Sequence, residues 1–246
     1  MKASLFGFGR FGKLFYKFFK DDFEFSIYDK NISETELRKL TRLKTIHPFN
    51  LSESDIVFLA VPISSIQEIS KQIKNSIDRN TLIVEMCSVK IYPQKILRRY
   101  FSKNQVAGIH PLFGPDSVKN SLNGHQIIIV DNSIKSEKLS YLINILTNKG
   151  LKLIQMTSNE HDKLMAYTLC LTQYIGRALG NIKLPDKSIG TKGYFDLLDI
   201  VKRTNNDTFQ LFIDMNKFNP HSEKMRKEVI QEFSKIDKLI SNKFKN

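Results

Sequence analysis

The sequence predicts an α/β protein, with a doubly wound parallel sheet first and an all-helical part last. Three observations carry this. Short apolar runs alternate with amphipathic stretches through residues 1–150, and the pattern changes after about residue 156. A glycine-rich turn, Gly7-Phe8-Gly9-Arg10-Phe11-Gly12, joins the first run to the first helical stretch. Strand-like runs then end, and apolar residues recur at helical spacing to the C-terminus. The expected domains are 1–156, a dinucleotide-binding sheet domain, and 157–246, a helical domain for substrate and dimerisation.

Each element has a local reason. Lys2–Phe6 is a compact apolar run. Arg10–Lys20 places Phe11, Leu14, Phe15, Phe18 and Phe19 three and four residues apart. Phe23–Tyr28 reads as a strand. Ser33–Leu43 reads as a short helix, with Ser33 as N-cap and Glu36 three residues on. Asp55–Val61 is nearly all apolar, as a strand buried on both faces should be. Pro62 ends it, and Ile63–Ile77 is helical in spacing. Thr81–Met86 is a strand, and a helix is expected near Gln94–Phe101. Gln105–Ile109 and Gln126–Val130 read as strands, and Ser136–Asn148 as a helix. Thr157 and Glu160 form a capping box that opens a helix to Leu179, with Gly180 placed to end it. Tyr194–Asn216 and Ser222–Phe244 complete the helical part.

Composition narrows the function classes. The 246 residues carry a net charge of +13, with 38 Lys and Arg against 25 Asp and Glu. The lysines are dispersed, with no basic arm, so a nucleic-acid partner is not expected. A field of this sign suits an anionic cofactor and an acidic substrate. No run reaches the ~20 apolar residues that cross a bilayer, and no signal peptide is expected at the N-terminus. Two cysteines, Cys87 and Cys170, fit a reducing cytoplasm. No metal-ligand spacing is present.

The glycine turn has the chemistry of a dinucleotide site. Gly7 permits the tight turn, Gly9 leaves room for a pyrophosphate, and Gly12 lets helix and strand approach. Phosphates then meet the helix N-terminus, where Phe8, Arg10 and Phe11 flank the glycines. Asp29 stands about 20 residues beyond Gly9, where a carboxylate takes the ribose hydroxyls of NAD and repels a 2′-phosphate. NAD is the expected cofactor, with NADP the alternative. Ligands of open parallel sheets bind beyond the carboxyl ends of the strands. Val61 and Pro62, Cys87 to Lys90, and His110 to Ser117 lie there. His110 is suited to proton exchange near neutrality.

The segments GFGRFG, AVP, SVK, IHPLFGPDS, NEHDK and TKGYFDLLDIVKRTNNDTFQLF, in that order, resemble those of prephenate and arogenate dehydrogenases across most of residues 3–220. The resemblance implies a Rossmann-type, catalytic-only enzyme, homodimeric, that oxidatively decarboxylates a cyclohexadienol in tyrosine biosynthesis. It implies prephenate as substrate, with arogenate as the alternative, and another small β-hydroxyacid dehydrogenase-like oxidoreductase as the more distant one. His110 matches the catalytic histidine and Ser88 a serine that orients it. Lys90 is either a nearby cation or a solvated side chain. Arg203 matches an arginine that binds a substrate carboxylate. Gln173 stands where many members carry histidine, next to the substrate side chain. His161 and Asp162 match a family signature and read as helix-start residues.

Overall fold

The computed structural model describes residues 1–41, 51–130, 136–182, 184–185 and 189–243. The expected helix over Ser33–Leu43 therefore lies partly outside the described residues. Contacts divide the chain into two compact units, Met1–His161 and Asp162–Asn246.

The first unit holds one seven-stranded sheet. Its strands are β1 (Lys2–Phe6), β2 (Glu24–Tyr28), β3 (Ile56–Leu59), β4 (Leu82–Glu85), β5 (Gln105–Pro111), β6 (Gln126–Val130) and β7 (Lys152–Met156). They lie in the order β2-β1-β3-β4-β5-β6-β7. The connecting helices are α1 (Arg10–Phe19), α2 (Glu34–Thr41), α3 (Ile66–Ile73), α4 (Ile91–Tyr100) and α5 (Glu137–Asn148). The chain winds outward from β1 in both directions, so the switch in winding sits between β1 and β3.

One pair departs from the expected parallel sheet. β5 and β6 are antiparallel, with His110 opposite Ile128. A parallel return needs a crossover of a dozen or more residues, usually helical. Between residues 111 and 126 the sequence offers Pro115, Gly114 and Gly124 and no amphipathic helix, so the strand turns back. α5 then supplies a crossover, and β7 pairs parallel with β6. β7 itself is not foreseen, because Lys152 and Gln155 break its apolar pattern at a partly covered edge.

Phenylalanine builds the core between α1 and the sheet. Phe15 stacks on Phe19 at 4.4 Å and meets Phe58 at 4.9 Å. Phe23 and Phe25 close the cluster edge-on at 5.6 Å. Each ring so buried contributes roughly 1.5–3 kcal/mol, which anchors the start of α1 and with it the glycine turn.

The helical part has α6 (Ser158–Met165), a five-residue π-helical turn over Ala166–Cys170, α7 (Leu171–Ile182), α8 (Lys192–Asn206), α9 (Phe209–Phe218) and α10 (Ser222–Lys243). The capping box is made as expected, with Thr157 N–H donating to Glu160 Oε2 (2.8 Å) and Glu160 N–H donating to Thr157 Oγ1 (3.2 Å). Two expectations change. Gly180 does not end a helix, since α7 runs on to Ile182. Gly176 and Gly180 instead allow α7 to approach α8. A Cβ at either would fall 2.4 Å from Thr204 Oγ1 or 2.7 Å from Asn205 Nδ2. The stretch 194–216 is two helices, because Asp207 turns extended and Thr208 caps α9 through Leu211 N–H (3.2 Å).

Candidate active site

The glycine turn is fixed by the chain's own backbone at two of its three glycines. Gly7 has φ +93°, and a Cβ there would lie 2.3 Å from the Ala60 carbonyl oxygen at the end of β3. A Cβ at Gly12 would lie 2.0 Å from the Gly7 carbonyl oxygen. Gly9 differs, because a Cβ there would meet nothing within 4 Å among the described residues. Packing does not require glycine at position 9, whereas an incoming phosphate would. Gly9 is also the N-cap of α1 and, as glycine, brings no side chain to cap that end. The open space beside the N-terminus of α1 fits a pyrophosphate.

Asp29 is held at the same turn. Its Oδ2 accepts from Phe8 N–H (2.7 Å) and its Oδ1 from Asn31 N–H (2.8 Å). Each carboxylate oxygen keeps further acceptor capacity for ribose hydroxyls. Arg10 reaches from the turn to the loop after β5, where Nη2 donates to both oxygens of Asp116 at 2.8 Å. Val61 and Pro62 follow β3 beside Gly7, with Val61 Cγ1 3.2 Å from the position a Gly7 Cβ would take. Phe8 is buried and Phe11 partly so.

His110 is the penultimate residue of β5 and 6% exposed. It is therefore set by a strand ladder rather than by a loop. Its Nδ1 lies 2.8 Å from Nε2 of His161, the fourth residue of α6. Its Nε2 makes no hydrogen bond among the described residues. Burial, then the neighbouring His161 and Lys90, hold its imidazole well below the usual histidine range. His161 is fully buried. Burial, helped by Lys90, pushes it down to about 3. Both rings are neutral at ordinary pH.

Lys90 is neither a free cation nor a solvated side chain. It is fully buried, because the ion pair it makes lies inside the sheet domain. Nζ donates to Glu85 Oε1 and Oε2 (2.8 and 2.9 Å) and to the Ile109 carbonyl (2.5 Å). Glu85 in turn accepts from Cys87 N–H (2.9 Å) and from Gln94 Nε2 (2.9 Å). One ion pair thus grips the residue before His110 and the residue before Ser88. Ser88 Oγ is buried with no partner among the described residues, an oxygen left over for a ligand. Sequence reading misses Glu85. Its signal is a carboxylate at the end of the otherwise apolar run Leu82–Glu85.

Gly108 makes room for this network. A Cβ there would lie 2.5 Å from both Glu85 Oε1 and Gln94 Nε2, and 2.7 Å from Val130 Cγ2. Gly108→Ala is expected to cost roughly 1–3 kcal/mol, as overpacking does. Urea unfolding measures it, and an unchanged midpoint would contradict the tight fit.

In the helical unit, Gln173 and Arg177 lie one turn apart on α7, and both meet Asp207. Gln173 Nε2 donates to Asp207 Oδ2 (2.7 Å), which orients the amide and leaves Oε1 buried without a partner among the described residues. Arg177 Nη2 donates to the Asp207 carbonyl (2.6 Å), and its Nε is likewise buried and unpaired among the described residues. The guanidinium sits 5.8 and 5.6 Å from the rings of Phe209 and Phe212. Arg203, singled out by sequence, is exposed on α8, 3.6 Å from Asp199. Arg177 was not singled out.

A family model described as the nucleotide-binding domain of prephenate dehydrogenase matches residues 23–155. The chain belongs to the prephenate dehydrogenase family. A second model, described as a TYRAAT1-like C-terminal domain, matches residues 178–246. The chain is 27% identical to the chloroplastic arogenate dehydrogenase 2 of Arabidopsis thaliana, over 98% of this chain and 70% of that protein. It is 28% identical to arogenate dehydrogenase 1 of the same plant over 79% of this chain, which spans only 32% of that relative. Its fold is that of Synechocystis arogenate dehydrogenase (TM-score 0.70, 20% identity, 99% and 93% of the two chains). It is also that of the Aquifex aeolicus prephenate dehydrogenase solved with hydroxyphenyl propionate and NAD+ (TM-score 0.76, 18% identity, 100% and 93%). The family member described here is accordingly an NAD(P)-dependent oxidoreductase of the prephenate/arogenate dehydrogenase type. No helix among the described residues is long and apolar enough to cross a membrane.

Proposed function

We propose that this chain is an arogenate dehydrogenase that uses NAD and takes its base from His110. The observation that carries the reaction is the buried, neutral His110, whose Nε2 has no partner among the described residues. The ring hydroxyl of the substrate donates to that nitrogen, and Ser88 Oγ bonds the same hydroxyl. A nicotinamide cofactor held by the glycine turn and Asp29 would supply the hydride acceptor for the carbon that carries this hydroxyl. As the hydride leaves, the oxygen becomes strongly acidic, so a weak base suffices. The ring carboxylate departs as CO2 and leaves its electron pair in the ring, which becomes aromatic. His110 then returns the proton to the phenolic oxygen. The protein supplies position and one base, because aromatisation drives the step.

Arogenate takes precedence over prephenate, the order the sequence alone suggested being reversed. The two Arabidopsis relatives are arogenate dehydrogenases by name. The chemistry of α7 agrees. The side chain of arogenate ends in an ammonium and a carboxylate, that of prephenate in a keto group and a carboxylate. Gln173 Oε1 is an acceptor, so it suits an ammonium donor and leaves a keto oxygen unmet. The Arg177 Nε–H is a donor of the kind a carboxylate takes. Arg203, exposed on α8, is the candidate cation for a substrate carboxylate. Gly7, Gly9 and Gly12, with Phe8, Arg10, Phe11, Val61 and Pro62, form the cofactor cradle, and Asp29 favours NAD over NADP.

A second copy of the chain is the partner that α10 suits. Ile230, Phe233, Ile236, Leu239 and Ile240 are each more than half exposed on it. Buried, unoxidised Cys87 and Cys170 agree with a cytoplasmic home.

The test is a two-by-two assay of arogenate and prephenate against NAD and NADP. Arogenate with NAD is expected to be turned over best, and Gln173→Leu is expected to raise KM for arogenate about tenfold. Faster turnover of prephenate would reverse the substrate assignment. Reduction of neither cofactor with either substrate would end the proposal.

A further inference from the structure

We infer that His161 is a positioning residue for His110, accepting a hydrogen bond that keeps the bare nitrogen of His110 on the side of the substrate. The inference rests on His110 being the base of the proposed reaction. The observation is the 2.8 Å contact between His110 Nδ1 and His161 Nε2, two rings 64° apart and both buried. One proton lies between two neutral rings, so one ring donates and the other accepts. If His161 donated, His110 would carry its own proton on Nε2 and could offer the substrate only a donor. A base needs the reverse, with the proton on Nδ1 and shared with His161.

The chain builds the acceptor side into the start of α6. Thr157 and Glu160 lock the first turn of this helix through their reciprocal bonds. His161 N–H donates to the Thr157 carbonyl at 3.0 Å, which seats the ring one residue later. Lys90 is the cation near both rings, and Glu85 neutralises it at 2.8 Å. A neutral imidazole is a gentler partner than a carboxylate. It fixes the tautomer of His110 without raising its basicity, and this suits a step in which the hydroxyl itself turns acidic. When His110 takes the substrate proton on Nε2, the Nδ1–H bond to His161 strengthens and holds the cation until the proton goes back.

Nitrogen NMR of the wild-type protein tests the tautomer without reference to turnover. The expected spectrum shows His110 protonated on Nδ1 and bare on Nε2 at pH 7.5. The opposite tautomer overturns the inference, whatever substrate the enzyme takes. Kinetics adds a second arm. His161→Phe keeps the ring volume and removes the acceptor, so kcat is expected to fall about 10- to 100-fold with KM for NAD unchanged. His161→Gln restores an acceptor and is expected to recover part of the loss. Wild-type kcat in a folded His161→Phe protein would also overturn the inference.

Discussion

His110→Asn is expected to lower kcat about 10²-fold or more while leaving dinucleotide binding intact. Asparagine keeps a polar group at the end of β5 but cannot take up a proton at ordinary pH. The glycine turn and Asp29 lie on β1 and its neighbours and do not use this side chain. Turnover and a cofactor titration on the same sample separate the two effects. Unchanged kcat would remove His110 from the chemistry, and lost cofactor affinity would make its role structural. The pH dependence has a definite sign. The folded protein holds His110 and His161 below the 6.5 that an exposed imidazole has, His161 at about 3. The acidic limb of kcat/KM is therefore expected well below pH 6.5, where the free enzyme's base first protonates. Stability follows the same linkage. Below pH 6.5 the unfolded chain binds protons that the folded one refuses. Stability is thus full above 6.5 and falls towards pH 3, by up to about 1.4 kcal/mol per pH unit for each ring.

The parts of this protein legible in its sequence are those written in local pattern. The turn Gly7 to Gly12, the run Ile56–Leu59 and the carboxylate Asp29 are each recognisable within a few residues of neighbours. What escaped depends on pairing across the chain. Lys90 looks like a surface lysine until β4 and β5 lie side by side and bring Ile109 and Glu85 to its Nζ. His161 looks like a helix-start residue because its partner stands 51 residues earlier. The break at Asp207 was there to be seen in the cluster Asn205-Asn206-Asp207-Thr208, since such side chains compete with helical bonds. Arg177 and Gln173 share a face by their spacing, but only the fold gives them Asp207 in common.

Lys90→Met is expected to cost about 3–5 kcal/mol, the usual result of leaving one member of a buried ion pair without the other. Methionine matches the length of the lysine stem, so the loss is one of charge rather than of volume. The Glu85 carboxylate would remain among Cys87, Gln94 and Gly108 with no cation within reach among the contacts it makes. Glu85→Gln alone leaves the opposite charge stranded and is expected to cost a similar amount. The double variant leaves neither, so most of the loss is expected to return, and urea unfolding of the four proteins measures the coupling. Additive losses in the double variant would show that the two side chains are not acting as a pair. Any folded Lys90→Met protein carries a further signature. Lys90 depresses both imidazoles, so removing its charge is expected to move the acidic limb of kcat/KM towards higher pH. A limb that stays in place would mean that the lysine shapes the strands around His110 and leaves its basicity alone.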